Sequence, residues 1–109
     1  WKSCLESRLS CGDDPRVYDI RYEDLAQRPE EMLSETMNFL GEILEPWQLD
    51  PSSLASDKRS DREVFARLKE PISPKTVGQW KQDLTEKEID VFKQIAGDQL
   101  DKWNYRSEV

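Results

Sequence analysis

The sequence predicts a mostly helical chain with one β-strand. Residues 29–44 and the stretch from Thr85 to about Asn104 carry apolar residues at the spacing of amphipathic helices. Residues 16–22 instead alternate aromatic or β-branched residues with polar ones, the period of a strand. One strand cannot pair all of its own backbone groups, so we expect a sheet completed by other chain, either from a longer parent protein or from a second copy.

Composition bounds the possible functions. The chain has 109 residues, of which 36% are hydrophobic, which suits one unit with a modest core. The net charge of -7 argues against a nucleic-acid binder, so any anion site must be local. No run of about twenty apolar residues is present to span a bilayer, and the charged N-terminal segment is unlike a signal peptide. We therefore expect no membrane association and a cytoplasmic location.

The histidine and cysteine content limits the kinds of catalytic, metal-binding and disulfide chemistry that the chain can carry out. The chain contains no histidine, which removes the commonest general base and the commonest metal ligand. We expect no metal site. Cys4 and Cys11 have neither zinc-site nor thioredoxin-like spacing, and free thiols are favoured over a disulfide between them, which the sequence leaves open.

The first helix is predicted at the N-terminus, where Trp1, Leu5 and Leu9 have helical spacing. The chain opens on tryptophan part-way through this pattern, so we interpret it as a piece of a longer protein. The predicted strand follows a Gly-Asp-Asp-Pro turn, with Tyr18 and Ile20 on one of its faces.

The next helix is predicted from Pro29 to about Leu44. Proline suits a first helical turn, and Glu30 and Glu31 complement the positive end of the helix. Gly41 indicates either the end of the helix or a close approach to a neighbour. The predicted buried face consists of Met32, Leu33, Thr36, Met37, Phe39, Leu40, Ile43 and Leu44.

Two weaker helix starts follow, one at Asp50-Pro51 and one at a Ser60-x-x-Glu63 capping box. The basic residues between and after them, Lys58, Arg59 and Arg62, suit a solvated face, with a phosphate contact as the alternative.

The last helix has the clearest start. Thr85-Glu86-Lys87-Glu88 is a capping box, in which the Thr85 hydroxyl accepts from the Glu88 amide and the Glu88 carboxylate reaches back. The predicted apolar face that follows consists of Ile89, Phe92, Ile95, Ala96, Leu100 and Trp103.

A turn-rich loop precedes this helix. Pro71 and Pro74 restrict its backbone, Lys75 and Thr76 present a cation and a hydroxyl, and Gly78 permits a positive φ or a close backbone approach. Such a loop can hold a phosphate. The alternative is a plain turn in which a tryptophan fills the core and lysines face water, and local features alone favour that alternative.

Two segments in order resemble the second half of the sulfotransferases that use 3′-phosphoadenosine-5′-phosphosulfate (PAPS). "VYDIRYEDLAQRPEEMLSETMNFLG" is similar to the strand, Tyr-Glu-Asp motif and helix of that family. "ISPKTVGQWKQDLTEKE" is similar to its late nucleotide loop, Gly-Asp-Trp-Lys motif and threonine-initiated helix. The tail "YRSEV" resembles the ending of cytosolic members.

The resemblance implies the C-terminal portion of an α/β, P-loop NTPase-like fold with a parallel sheet, and one partial domain over residues 1–109. The family's first half carries the phosphosulfate loop, the base and a lysine at the bridging oxygen, and none of these is found in this sequence. The resemblance therefore implies a transferase that moves a sulfuryl group from PAPS to an acceptor hydroxyl or amine, without a metal. This chain supplies no catalytic residue and should be inactive alone.

The resemblance also implies the nucleotide contacts. Tyr22 is expected near the adenine, with a tyrosine of the core as the alternative, and the late loop is expected near the 3′-phosphate. Cytosolic members have Arg-Lys-Gly where this chain has Ser73-Pro74-Lys75, a departure that shifts the expected contacts. Trp80 is assigned to packing. The expected cofactor-binding residues are Tyr22, Ser73, Lys75, Thr76, and the Val77 and Gly78 amides.

Partners follow from the same features. A dimer segment known in cytosolic members is only partly matched here, because Glu86 stands for its apolar valine, so we do not expect that dimer. Self-association through the lone strand and the apolar faces is expected instead. The alternative function is a helical protein-interaction or self-associating module without catalysis. The resemblance implies that acceptor specificity lies in variable loops, mostly outside this stretch.

Overall fold

The computed structural model describes residues 1–50 and 70–105. Throughout these residues the regular structure is helical. The helices are α1 (Lys2–Ser10), α2 (Tyr22–Gln27), α3 (Pro29–Leu40), α4 (Trp80–Asp83) and α5 (Glu86–Lys102), with short 3-10 turns at Pro46–Leu49 and Pro74–Thr76. The chain divides into two units. One comprises Trp1–Val17 with Gly78–Val109, and the other comprises Tyr18–Val77.

The predicted strand over 16–22 is wrong for this structure. Tyr22 is the first residue of α2, and Arg21 before it is extended at φ -78° and ψ 137°. Among the described residues no strand runs alongside to pair with this segment. Tyr18 packs on α3 instead: its ring stacks on Phe39 at 5.1 Å between centroids, and its hydroxyl donates to Glu35 at 3.0 Å. The segment thus has strand-like residues but is held by side-chain contacts.

Helix α3 begins at Pro29 as predicted and ends four residues earlier than expected. Gly41 terminates it in the left-handed conformation at φ 76°, and the Glu42 amide donates back to the Met37 carbonyl at 2.8 Å. A Cβ on Gly41 would meet nothing within 4 Å. The glycine therefore serves to end the helix, and not to admit a close neighbour.

The early end of α3 changes its predicted buried face. Ile43 lies beyond the helix and is 85% exposed, and Leu40 is 59% exposed. Residues nearer the start of the helix are less exposed. The half-buried ones are Met32, Leu33, Thr36 and Met37. The prediction of a continuous buried face is therefore wrong at Phe39, Leu40 and Ile43, which are exposed, whereas Leu44 is half-buried.

In the other unit α1 packs against α5. The Trp1 ring lies 5.5 Å from Phe92 and 6.2 Å from Tyr105, between ring centroids. Lys2 Nζ donates to the Ile95 carbonyl at 2.9 Å and lies 3.7 Å from an Asp98 carboxylate oxygen. The buried residues of α5 are Ala96, Gln99 and Leu100.

The predicted capping box at the start of α5 is confirmed. The Glu88 amide donates to Thr85 Oγ1 at 3.4 Å, and the Thr85 amide donates to Glu88 Oε2 at 2.8 Å. The Thr85 hydroxyl also donates to Glu88 Oε2 at 2.7 Å. The bonds from the Thr85 amide and hydroxyl lower the pKa of the Glu88 carboxyl.

The remaining sequence predictions have mixed outcomes. Cys4 and Cys11 are free and exposed, in agreement with the favoured interpretation. The helix starts predicted at Asp50-Pro51 and Ser60, and the basic residues near them, lie outside the described residues. Within the described ranges, no helix has the length and apolar character needed to cross a bilayer.

Candidate functional site

The two segments that resemble a nucleotide site meet within the unit Tyr18–Val77. Helix α2 packs on the Pro74–Thr76 turn. The Tyr22 and Thr76 hydroxyls form a hydrogen bond, although the two residues lie 54 positions apart in the chain. The fold thus brings together one aromatic side chain and one loop that the sequence places far apart.

Tyr22 is positioned by the short helix α2. Its backbone lies at the start of the helix, with Asp24 in the same first turn and Ala26 buried at 3% exposure. The helix stops at Gln27 because Arg28 precedes a proline, which disfavours the helical conformation at that residue. The Tyr22 side chain is 53% exposed, so part of its ring is open to a ligand.

An ion-pair cluster joins the end of α2 to the start of α3. The Arg28 guanidinium lies 3.1 Å from Asp24 and 3.0 Å from Glu31. The hydrogen bond to Asp24 is the main cause that raises the pKa of Arg28 further above its usual value, with Glu31 acting in the same direction. These contacts link α2 to α3 at the corner between the two helices.

The loop that carries Thr76 is a single 3-10 turn. Ser73 is extended at φ -150° and ψ 154°, and Pro74 occupies the first position of the turn. Thr76 and Ser73 are half-buried, whereas Lys75 between them is exposed. The turn therefore presents one cation to solvent and holds one hydroxyl against α2.

The Val77 amide closes this turn by donating to the Pro74 carbonyl at 3.0 Å. It is used by the protein backbone in this structure, so a phosphate contact from it requires the turn to open. Gly78 follows with φ 76°, a conformation that favours glycine. Its positive φ is one of the two roles that the sequence allowed for it.

Trp80, which the sequence assigns to packing, lies at the start of α4. It is half-buried, and Lys81 Nζ lies 5.3 Å from its ring centroid. A cation over an indole face is a favourable contact. The expected role of Trp80 as an anchor of the loop stays a prediction.

The chemistry on offer at Tyr22 and the turn is binding chemistry. An aromatic face, two hydroxyls and one ammonium suit a base and an anionic group. Among residues 1–50 and 70–105, no group of three or more potential ligands is placed to hold a metal ion. The sequence did not predict the hydrogen bond between Tyr22 and Thr76, because nothing in either motif indicates that its hydroxyl pairs with the other.

Comparison with known proteins decides the family. The model of the sulfotransferase domain matches residues 1–104. The chain belongs to this sulfotransferase family. No curated protein and no solved structure shows significant similarity to it. The match takes in both α2 and the Pro74–Thr76 turn, so the contact between them lies inside the sulfotransferase domain.

Proposed function

We propose that this chain forms the adenine and 3′-phosphate side of the PAPS site of a sulfotransferase. The observation that carries the proposal is the Tyr22–Thr76 hydrogen bond, which joins the two segments resembling that site in a chain of this family. An aromatic ring beside a hydroxyl-bearing, cationic loop suits a nucleotide with a phosphate on its ribose.

Each residue has a distinct role in this proposal. The Tyr22 ring packs on the adenine, while Thr76 and Ser73 donate to the 3′-phosphate. Lys75 supplies the positive charge, which matters because the chain as a whole carries a net charge of -7. The positive φ of Gly78 lets the backbone turn away directly after the loop.

The reaction itself uses groups that we place outside this chain. The sulfuryl group passes in line from the 5′-phosphate oxygen of PAPS to an acceptor hydroxyl or amine. The sulfur–oxygen bond to the phosphate breaks, a bond from sulfur to the acceptor forms, and a base takes the acceptor proton. Positioning and charge stabilisation carry such a transfer. We assign no catalytic residue here and expect the chain alone to be inactive.

The test is a calorimetric titration of the full-length protein carrying this chain with adenosine 3′,5′-bisphosphate. Loss of one charge-assisted contact in Lys75→Ala should weaken binding about tenfold. Lys87→Ala is the matched control, because it removes the same positive charge from an exposed lysine on α5. Its affinity should stay within about twofold of the wild type. A wild-type protein that does not bind the bisphosphate would refute the nucleotide assignment.

A module that binds a protein through its helices is the second candidate. It is favoured by one observation, the pair Val91 and Ile95 on α5, which are 46% and 59% exposed one helical turn apart. This candidate predicts no nucleotide binding and no sulfuryl transfer in any form of the protein. The same titration therefore separates the two functions.

A further inference from the structure

Which hydroxyl donates in the Tyr22–Thr76 hydrogen bond matters for ligand binding. Tyrosine and threonine hydroxyls can each donate one hydrogen and accept others. A phenol is the more acidic of the two and so the better donor. The positions of the two oxygens allow either hydroxyl to donate in the Tyr22–Thr76 bond, and the greater acidity of the phenol favours Tyr22 as the donor. With that direction, Thr76 Oγ1 accepts and the Thr76 hydrogen is left for another acceptor.

We propose that Tyr22 is a positioning residue that aims the Thr76 hydroxyl at the 3′-phosphate. The inference rests on the proposed function and adds a second role to Tyr22, distinct from that of its ring. Tyr22 donates to Thr76, and Thr76 donates to an anionic phosphate oxygen. Hydrogen bonds in such a chain polarise and strengthen one another.

The surroundings of the pair suit this relay, by which we mean the two successive hydrogen bonds from Tyr22 to Thr76 and from Thr76 to the phosphate. Thr76 is half-buried in the 3-10 turn, so its hydroxyl is held near α2, whereas the Tyr22 ring is 53% exposed and its face stays accessible. The exposed Lys75 precedes Thr76 and brings charge to the same phosphate. A fully ionised phosphate can only accept hydrogen bonds, so the free threonine hydrogen is the complementary group.

The relay predicts a ligand-specific defect. Tyr22→Phe keeps the ring and removes only the donor, so binding of adenosine 5′-monophosphate, which has no 3′-phosphate, should be unchanged. Binding of adenosine 3′,5′-bisphosphate should weaken about fivefold, as expected for loss of one neutral hydrogen bond that supports a charged one. A defect that follows the 3′-phosphate cannot come from general loss of structure.

The experiment measures dissociation constants for both nucleotides in the full-length protein and five variants. Thr76→Val should weaken bisphosphate binding about tenfold, and Thr76→Ser should restore most of it because serine keeps the hydroxyl. In the Thr76→Val background, adding Tyr22→Phe should cost nothing more, since the relay is already broken. Tyr18→Phe is the control, because it removes another hydrogen-bonded phenol from the same unit.

The outcomes distinguish this inference from the function on which it rests. Bisphosphate binding by Tyr22→Phe equal to wild type overturns the relay and leaves the nucleotide site standing. Equal weakening toward both nucleotides also overturns the relay, because the Tyr22 hydroxyl would then act on a part of the ligand that both nucleotides share. A wild-type protein that binds neither nucleotide overturns the proposed function and the relay with it.

Discussion

Glycine residues in this chain have opposite effects at two positions. Gly41 adopts φ 76° at the end of α3, where an L-residue is strained. Gly97 lies inside α5 without a positive φ, and a Cβ there would meet nothing within 4 Å. The same residue type is therefore favourable at the helix end and costly within the helix.

Alanine substitution at these two positions should change stability in opposite directions. Gly41→Ala should lower the free energy of unfolding by about 1 kcal/mol because alanine resists the left-handed conformation. Gly97→Ala should raise it by up to about 1 kcal/mol through its higher helix propensity. Urea denaturation followed by circular dichroism measures both. Stabilisation by Gly41→Ala would contradict the assigned role of Gly41.

The site residues show how far residue-level prediction reached. The expected positions of Tyr22, Lys75 and Thr76 came from resemblance to a family, and the structure places two of them in direct contact. That contact could not be predicted, because hydroxyls 54 positions apart carry no periodicity that links them. The hydrogen bond from the Val77 amide to the Pro74 carbonyl could not be predicted either, because the geometry of the turn decides which backbone donors remain available.

At the scale of elements, features that depend on neighbouring residues were predicted correctly, whereas a feature that depends on a distant partner was not. The start of α5 was predicted because Thr85 and Glu88 lie within one turn of each other. The strand over 16–22 was not correctly predicted, because a strand exists only through a partner. Without one in the described part of the chain, Tyr18 docks on Glu35 and Phe39 instead.

The cap of α5 should make this helix sensitive to acid. The pKa of Glu88 is lowered in the folded chain, so its contribution to stability is complete above the ordinary glutamate pKa. That contribution is lost as the pH falls through the lowered value, where the carboxylate becomes protonated. Thr85→Ala should destabilise the protein by about 1 kcal/mol at neutral pH. It should also reduce the loss of α5 helicity on acidification.

Amide hydrogen exchange in α5 between neutral pH and pH 3 checks this prediction, after correction for the intrinsic rates. Lys87→Ala is a suitable control, because it changes the same first turn without touching the two capping residues. An unchanged acid response in Thr85→Ala would show that the Glu88 carboxylate acts independently of the cap.

At the scale of the whole chain, the described residues bury little apolar surface and expose much. The fully buried apolar side chains among them are those of Ala26, Ala96 and Leu100. Several large side chains are more than one-third exposed, including Ile43 at 85% and Trp47 at 58%. Surfaces of this kind favour association with further protein. The parallel sheet implied by the family resemblance would provide one such cover and stays a prediction.

Self-association also stays a prediction, and α5 offers a direct way to test it. Sedimentation velocity of this chain should show larger species that grow with concentration, because copies can cover one another's exposed apolar residues. Ile95→Lys should shift the population toward monomer by placing a charge on a side chain that is 59% exposed. Gln94→Lys adds the same charge at the neighbouring exposed position and should change little if the apolar contact is responsible. A single monomeric species at every concentration would contradict self-association, and the exposed residues would then need a different partner.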